Sequence, residues 1–160
     1  MKFSGECPAR QDKPAFIDPV GNREGAAPGS TAGLSRVLVV EDDPILTEFY
    51  TQLLQEKNMP VDQCADGNIA LEKLSTMHYG LVILDMNLPG MDGISLAEWI
   101  QCHRPAIRTV VISGDANPDK IRAAMRAGSE DYILKPFTIQ QFWEMLERLT
   151  RPQCSSGPPP

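Results

Sequence analysis

The sequence predicts an α/β domain: a doubly wound, five-stranded parallel sheet with five helices on its two faces. Three observations predict it. The segments VLVV, LVIL and TVVI are continuous apolar runs, as suits strands covered on both faces. Segments between such runs repeat apolar residues at spacings of three and four, the mark of amphipathic helices. The two patterns alternate along the chain, which implies right-handed crossovers and helices on both sides of the sheet.

The first strand is expected over Arg36–Val40. Asp43-Pro44 then supplies an N-cap and a proline at the first helical position, opening a helix with Ile45, Phe49 and Leu53 at four-residue spacing. Val61–Cys64 is the second strand, followed by a helix carrying Ala70, Leu74 and Met77. Leu81–Leu84 is the third and Thr109–Ser113 the fourth, after which Asn117-Pro118 opens a helix that Gly128 stops. The fifth strand, Tyr132–Leu134, leads into a helix striped by Ile139, Phe142, Leu146 and Leu149. Residues 1–34, with Pro8, Pro14, Pro19 and Pro28 and no apolar period, are expected to be a disordered tail. Residues 152–160, PQCSSGPPP, are expected to be a second tail, leaving 35–151 as the domain.

The 160 residues carry a formal net charge of -6 and no block of Lys or Arg, which argues against a nucleic-acid or anionic-membrane surface. Apolar runs of about five residues are far short of a bilayer span, and the N-terminus lacks a secretory pattern, so a cytoplasmic location is expected. The four cysteines include no C-x-x-C pair. The first tail has four residues of each sign and Arg151 lies beyond the last helix, so residues 35–150 hold seven more acids than bases. Part of that excess should be concentrated in a site.

In an open parallel sheet the functional crevice lies outside the carboxyl ends of the strands. Those ends read Glu41-Asp42-Asp43, Asp85, Ser113 and Lys135-Pro136, while the second strand ends in Cys64-Ala65-Asp66 and offers nothing so specific. Unit charges of one sign at 4 Å repel by roughly 4 kcal/mol at an effective dielectric of 20, so gathered carboxylates need a cation or must protonate. The donors are hard oxygens without His or Cys, which favours Mg2+ over Zn2+. Mg2+ keeps few protein ligands and takes a phosphoryl oxygen readily; a lysine and a hydroxyl can hold the other oxygens. The rim therefore suits a phosphoryl group on a metal, with Asp85 placed to accept it covalently.

The motifs VLVVEDDP, LVILDMNLPGMDG, VVISGDA and AGSEDYILKPF, in this order and spacing, resemble the receiver domain of two-component response regulators, typified by the bacterial chemotaxis regulator. The resemblance covers residues 36–150 and implies a flavodoxin-like strand order 2-1-3-4-5. It implies Asp85 as phosphoacceptor, Asp42 as a direct Mg2+ ligand, Glu41 as an acidic partner acting through metal-bound water, and Asn87 as a ligand through its carbonyl. Ser113 matches the switch hydroxyl, Tyr132 the switch aromatic, and Lys135 the lysine that contacts the phosphoryl group. The Lys135-Pro136 bond is expected to be cis. Gly114 departs from the alanine usual after the hydroxyl. Within the acidic triplet, the site pair is Glu41-Asp42 with Asp43 as helix cap, or Asp42-Asp43 if the register slips by one. Asp92 is assigned to turn structure.

The implied function is that of a receiver, not an enzyme: Asp85 takes a phosphoryl group from a phosphohistidine of a histidine kinase or phosphotransfer protein, and the bound phosphoryl draws in Ser113 and lets Tyr132 turn inward. The expected output surface is the fourth helix, fifth strand and fifth helix, presented to a downstream effector protein; a homodimer is a further expected partner state. Trp143 is either an exposed contact on that surface or partly buried. A stand-alone receiver is expected from the short flanks. Two alternatives compete. A Mg2+-dependent phosphatase of the haloacid-dehalogenase type also uses a strand-end Asp, but wants D-x-D, where this chain has Asn87. A phosphorylation-independent scaffold is disfavoured because every site group is present.

Overall fold

Each central strand sends alternate residues to two different cores, which is why none of them alternates apolar with polar. The computed structural model describes residues 36–150. Its five strands are β1 (Val37–Val40), β2 (Val61–Cys64), β3 (Leu81–Leu84), β4 (Arg108–Ser113) and β5 (Asp131–Leu134). They pair in parallel in the order β2-β1-β3-β4-β5. Val37, Val39, Leu81, Ile83, Val110 and Ile112 face one core, closed by α1 (Pro44–Glu56) and α5 (Ile139–Thr150). Leu38, Val40, Val82, Leu84 and Val111 face the other, closed by α2 (Gly67–Thr76), α3 (Gly93–His103) and α4 (Pro118–Arg126). The architecture, the strand order and the five helices are those expected, with strand limits within one residue. The two expected tails lie outside the described residues.

The register aligns the strand ends. Val40 sits opposite both Cys64 and Leu84, and the ladder continues one residue further: the Glu41 amide donates to the Cys64 carbonyl at 3.1 Å and the Asp85 amide to the Val40 carbonyl at 3.0 Å. On the other side the Lys135 amide donates to the Ser113 carbonyl at 2.9 Å. Sheet pairing thus fixes the backbone of Glu41, Asp85 and Lys135 before any side chain is considered.

Three helical stripes differ from the expected ones. On α1 the buried residues are Thr47, Tyr50, Thr51, Leu53 and Leu54, while Ile45 is 78% exposed. The threonines can be buried because their hydroxyls bond back along the helix, Thr47 Oγ1 to the Asp43 carbonyl at 2.9 Å and Thr51 Oγ1 to the Thr47 carbonyl at 2.8 Å. Ile45, Ile69 and Ile139 all lie in the first turn of their helices and all are exposed. First turns stand at the carboxyl rim, beyond the last strand residues, where no sheet remains to cover them. Met77 is likewise exposed, because α2 stops at Thr76 and Met77 is its extended C-cap. Trp143 takes the partly buried alternative: it packs edge-on against Phe142 at 5.7 Å, with the Lys57 ammonium 5.0 Å above its ring. Cys64 is a free thiol, and burial pushes its pKa up to about 11, which leaves it inert at neutral pH. No helix among the described residues is long and apolar enough to cross a membrane.

Candidate functional site

The carboxyl rim gathers the acids the sequence singled out. Glu41, Asp42 and Asp85 each offer an oxygen, and these oxygens lie within 4.8 Å of one another. Asp43 is not in the group. Its side chain caps α1, accepting from the Ile45 amide at 2.8 Å and the Leu46 amide at 3.3 Å. The structure therefore joins Glu41 to Asp42 and leaves Asp43 to the helix, against the one-residue slip. Asp92 likewise caps α3, accepting from the Ser95 amide at 3.0 Å.

Lys135 closes the group from β5. Its ammonium donates to Asp85 Oδ2 at 2.6 Å and to Glu41 Oε2 at 2.7 Å. The Lys135-Pro136 peptide is cis. Phe137, the next residue, stacks on Tyr50 at 6.0 Å and on Phe142 at 6.1 Å. The turn that carries the lysine is thereby anchored in the aromatic part of the first core. The Tyr50 hydroxyl is buried without a hydrogen-bond partner among the described residues, and burial, with Glu41, Asp85 and Asp43 near it, pushes its pKa up.

Glu41 is only 3% exposed and Asp85 8%, while Asp42 stands open to solvent. Burial raises the Glu41 pKa; Lys135 opposes that rise, Asp85 adds to it, and the carboxyl stays above its ordinary value. Lys135 loses solvation as well, but bonding to Asp85 and Glu41 outweighs the loss and holds the ammonium charged. One ammonium facing three carboxyl groups leaves an excess of negative charge. That excess, hard oxygen donors and an open side at Asp42 fit a divalent cation of the Mg2+ type.

Asn87 is exposed on the loop after β3, and its amide donates to Asp85 Oδ1 at 3.0 Å. The loop thus returns to the carboxylate that starts it. Ser113 is fully buried, and its hydroxyl accepts from the Asp115 amide at 3.3 Å. Tyr132 packs half-buried against the second core and donates to the Asp115 carbonyl at 2.7 Å. Asp115, which the sequence reading passed over, joins Ser113 to Tyr132; its carboxylate also accepts from the Asn117 amide and pairs with Lys120. An acid two residues beyond Ser113 on an irregular loop carries no periodicity signal, so only the structure exposes it.

The model of the response regulator receiver domain matches residues 37–147. The chain belongs to the response regulator receiver family. Transcriptional regulatory protein TcrA of Mycobacterium tuberculosis is 33% identical over 140 residues, covering 87% of this chain and 54% of the relative. Two-component response regulator PhoP of Pseudomonas aeruginosa is 31% identical over 117 residues, covering 72% of this chain and 52% of that protein. The chain spans about half the length of the curated relatives it matches. Among solved structures, a CheY-like receiver domain from Methanospirillum hungatei aligns with a TM-score of 0.70 at 26% identity, covering 74% of this chain and 94% of that one. The receiver domain of sensor histidine kinase PA1611 from Pseudomonas aeruginosa aligns with a TM-score of 0.66 at 26% identity, covering 74% and 98%, and has a magnesium ion coordinated in its active site cleft. Membership in the receiver family decides against the haloacid-dehalogenase alternative. The receiver of this chain is a module of two-component signalling.

Proposed function

We propose that this receiver takes a phosphoryl group from a phosphohistidine of a histidine kinase or phosphotransfer protein onto Asp85. The observation that carries the reading is the contact of one charged lysine with two buried acids, Asp85 and Glu41, beside an open third acid, Asp42. An Asp85 carboxylate oxygen attacks phosphorus as the phosphorus–nitrogen bond breaks, and the imidazole leaves with the electron pair and takes up a proton from water. Lys135 neutralises the equatorial oxygens, moving from carboxylate to phosphoryl without leaving the site. Glu41, Asp42, Asp85 and the Asn87 carbonyl would hold Mg2+, which when bound supplies charge neutralisation across the phosphoryl oxygens. Lys135, Ser113 and Asp85 do the chemistry, and the chain acts as a phosphoacceptor rather than as an enzyme on a separate substrate.

The signal would leave through Ser113. A phosphoryl oxygen would accept from the Ser113 hydroxyl, whose oxygen now takes the Asp115 amide; as the hydroxyl is drawn toward the phosphoryl group the Asp115 segment shifts, and its carbonyl carries Tyr132 with it. The surface so moved is α4, β5 and α5, where Met125, Leu134 and Ile139 are exposed apolar residues suited to an effector protein or a second copy. A charge-assisted hydrogen bond gained in one state is of the size that shifts such an equilibrium several-fold. The setting of this chemistry is the cytoplasm.

Incubation with acetyl phosphate and MgCl2 should add one phosphoryl group by intact mass, and Asp85→Asn should stay unmodified. A wild type that remains unmodified, or an Asp85→Asn variant that does not, sinks the assignment.

A further inference from the structure

The end of β2 places no side chain in the acidic group, yet it holds the loop that leaves Asp85. The Gly67 amide donates to the Pro89 carbonyl at 3.0 Å. A Cβ on Gly67 would stand 1.9 Å from the Met91 carbonyl oxygen and 2.8 Å from its carbon, so no side chain fits between the first residue of α2 and the loop. From the loop side Gly90, at φ +77°, presses on the same helix end: a Cβ there would meet Asn68 Nδ2 and Asp66 Oδ1, each at 2.6 Å. Asp66 is meanwhile committed to capping α2, accepting from the Asn68 amide at 2.7 Å. Along the loop itself the bonds from the Asn87 amide to Asp85 Oδ1 and from the Gly93 amide to the Met86 carbonyl secure the two ends. The middle, residues 89–91, is secured from α2.

We propose that Gly67 is a positioning residue for the phosphoacceptor site: its contact with residues 89–91, which any side chain would break, fixes the Asn87 carbonyl and, through the Asn87 amide, the Asp85 carboxylate. The proposal rests on the Asp85 reading above. Backbone meeting backbone leaves no flexible side-chain end to absorb a displacement, so an added methyl must move the loop. Groups that orient ligands without touching the metal typically contribute about tenfold or more to its affinity.

The test is a MgCl2 titration of the full chain, followed by backbone amide resonances, with phosphorylation by acetyl phosphate measured alongside. Gly67→Ala should weaken Mg2+ binding about tenfold. Its phosphorylation rate should fall at limiting Mg2+ and return to within about twofold of wild type at saturation, since Asp85 and Lys135 remain. Leu74→Ala, on the same helix but buried in the core, serves as a control that loses stability and should keep wild-type affinity. If Gly67→Ala does not fold, Gly90→Ala, which meets side-chain ends rather than backbone and adds strain at a positive φ, should weaken binding in the same direction. Unchanged affinity in the folded glycine variant, or an equal loss in Leu74→Ala, overturns the proposal. A wild type that neither binds Mg2+ nor accepts a phosphoryl group overturns the Asp85 reading instead, and is told apart because it fails before any variant is compared.

Discussion

The two ends of the sheet hold charge in opposite ways, half-buried at one and buried at the other. At the amino end Arg36 donates to both oxygens of Asp62 at 3.0 Å, and the Tyr79 hydroxyl donates to Asp62 Oδ2 at 2.8 Å. One cation and one hydroxyl serve one acid, and the cluster is balanced. At the carboxyl end one ammonium serves two buried acids, with a third beside them. A balanced cluster ties β2 to the β3 side of the sheet and needs nothing further. An unbalanced one is held together only partly by the chain, which is the physical signature of a site that binds something positive and passes something negative.

The largest effect should come from removing the cation of the acidic group, Lys135. Lys135→Ala leaves Glu41 and Asp85 buried without a cation, and losing one member of such a pair typically costs about 3 kcal/mol or more. Urea unfolding without divalent cations should show that loss. Millimolar MgCl2 should recover part of it, because a ligand that binds only the folded state stabilises it. Recovery equal to that of wild type would mean the acids are not short of positive charge, and the contrast between the two ends would collapse.

At the balanced end Asp62→Asn should cost about 1.5 kcal/mol, the scale of hydrogen bonds to charged groups, while leaving phosphorylation untouched. Burial raises the Asp62 pKa, but Tyr79 and Arg36 outweigh it and hold the carboxyl below its ordinary value. The sign follows: the stabilisation is fully present above the unfolded-state carboxylate pKa and is lost as pH falls through the lower folded one. The gap between wild type and Asp62→Asn in urea melts should be open at pH 7 and close below about pH 4. A gap that widens at low pH would reverse the argument.

Much of this was legible in the sequence, and the reasons are specific. VLVV, LVIL and TVVI read as doubly covered strands because covering both faces removes alternation; their ends named Glu41, Asp42, Asp85 and Ser113 directly, and the end of the fifth strand named Lys135. Asp43-Pro44 read as a cap because proline at the first helical position demands one. The α1 stripe was misplaced because Thr47 and Thr51 count as polar in a pattern, although back-bonded hydroxyls let them into the core. Gly67 and Asp115 were not legible at all. Their parts depend on backbone contacts with Pro89, Met91 and Tyr132, and a contact made by an amide or carbonyl leaves no trace in the type of side chain.

The smallest effect carries the sharpest sign. Asp85→Asn makes the same chemical change as Asp62→Asn, carboxylate to amide with the shape kept, at the unbalanced end. It removes one of the acids that repel Glu41 and keeps one oxygen for Lys135 to donate to, at the loss of the bond from the Asn87 amide. Without divalent cations the net result should be a gain in unfolding free energy of about 1 kcal/mol, the residue of a repulsion that Lys135 already offsets in part. MgCl2 should then stabilise the variant less than it stabilises wild type, since one ligand is gone. One substitution type would thus destabilise at Asp62 and stabilise at Asp85. Urea unfolding of both variants at pH 7, with and without MgCl2, reads the two signs in one experiment. A loss at both positions would place the rim with the structural clamps, whose acids are fully matched, rather than with sites that hold charge in reserve for a ligand.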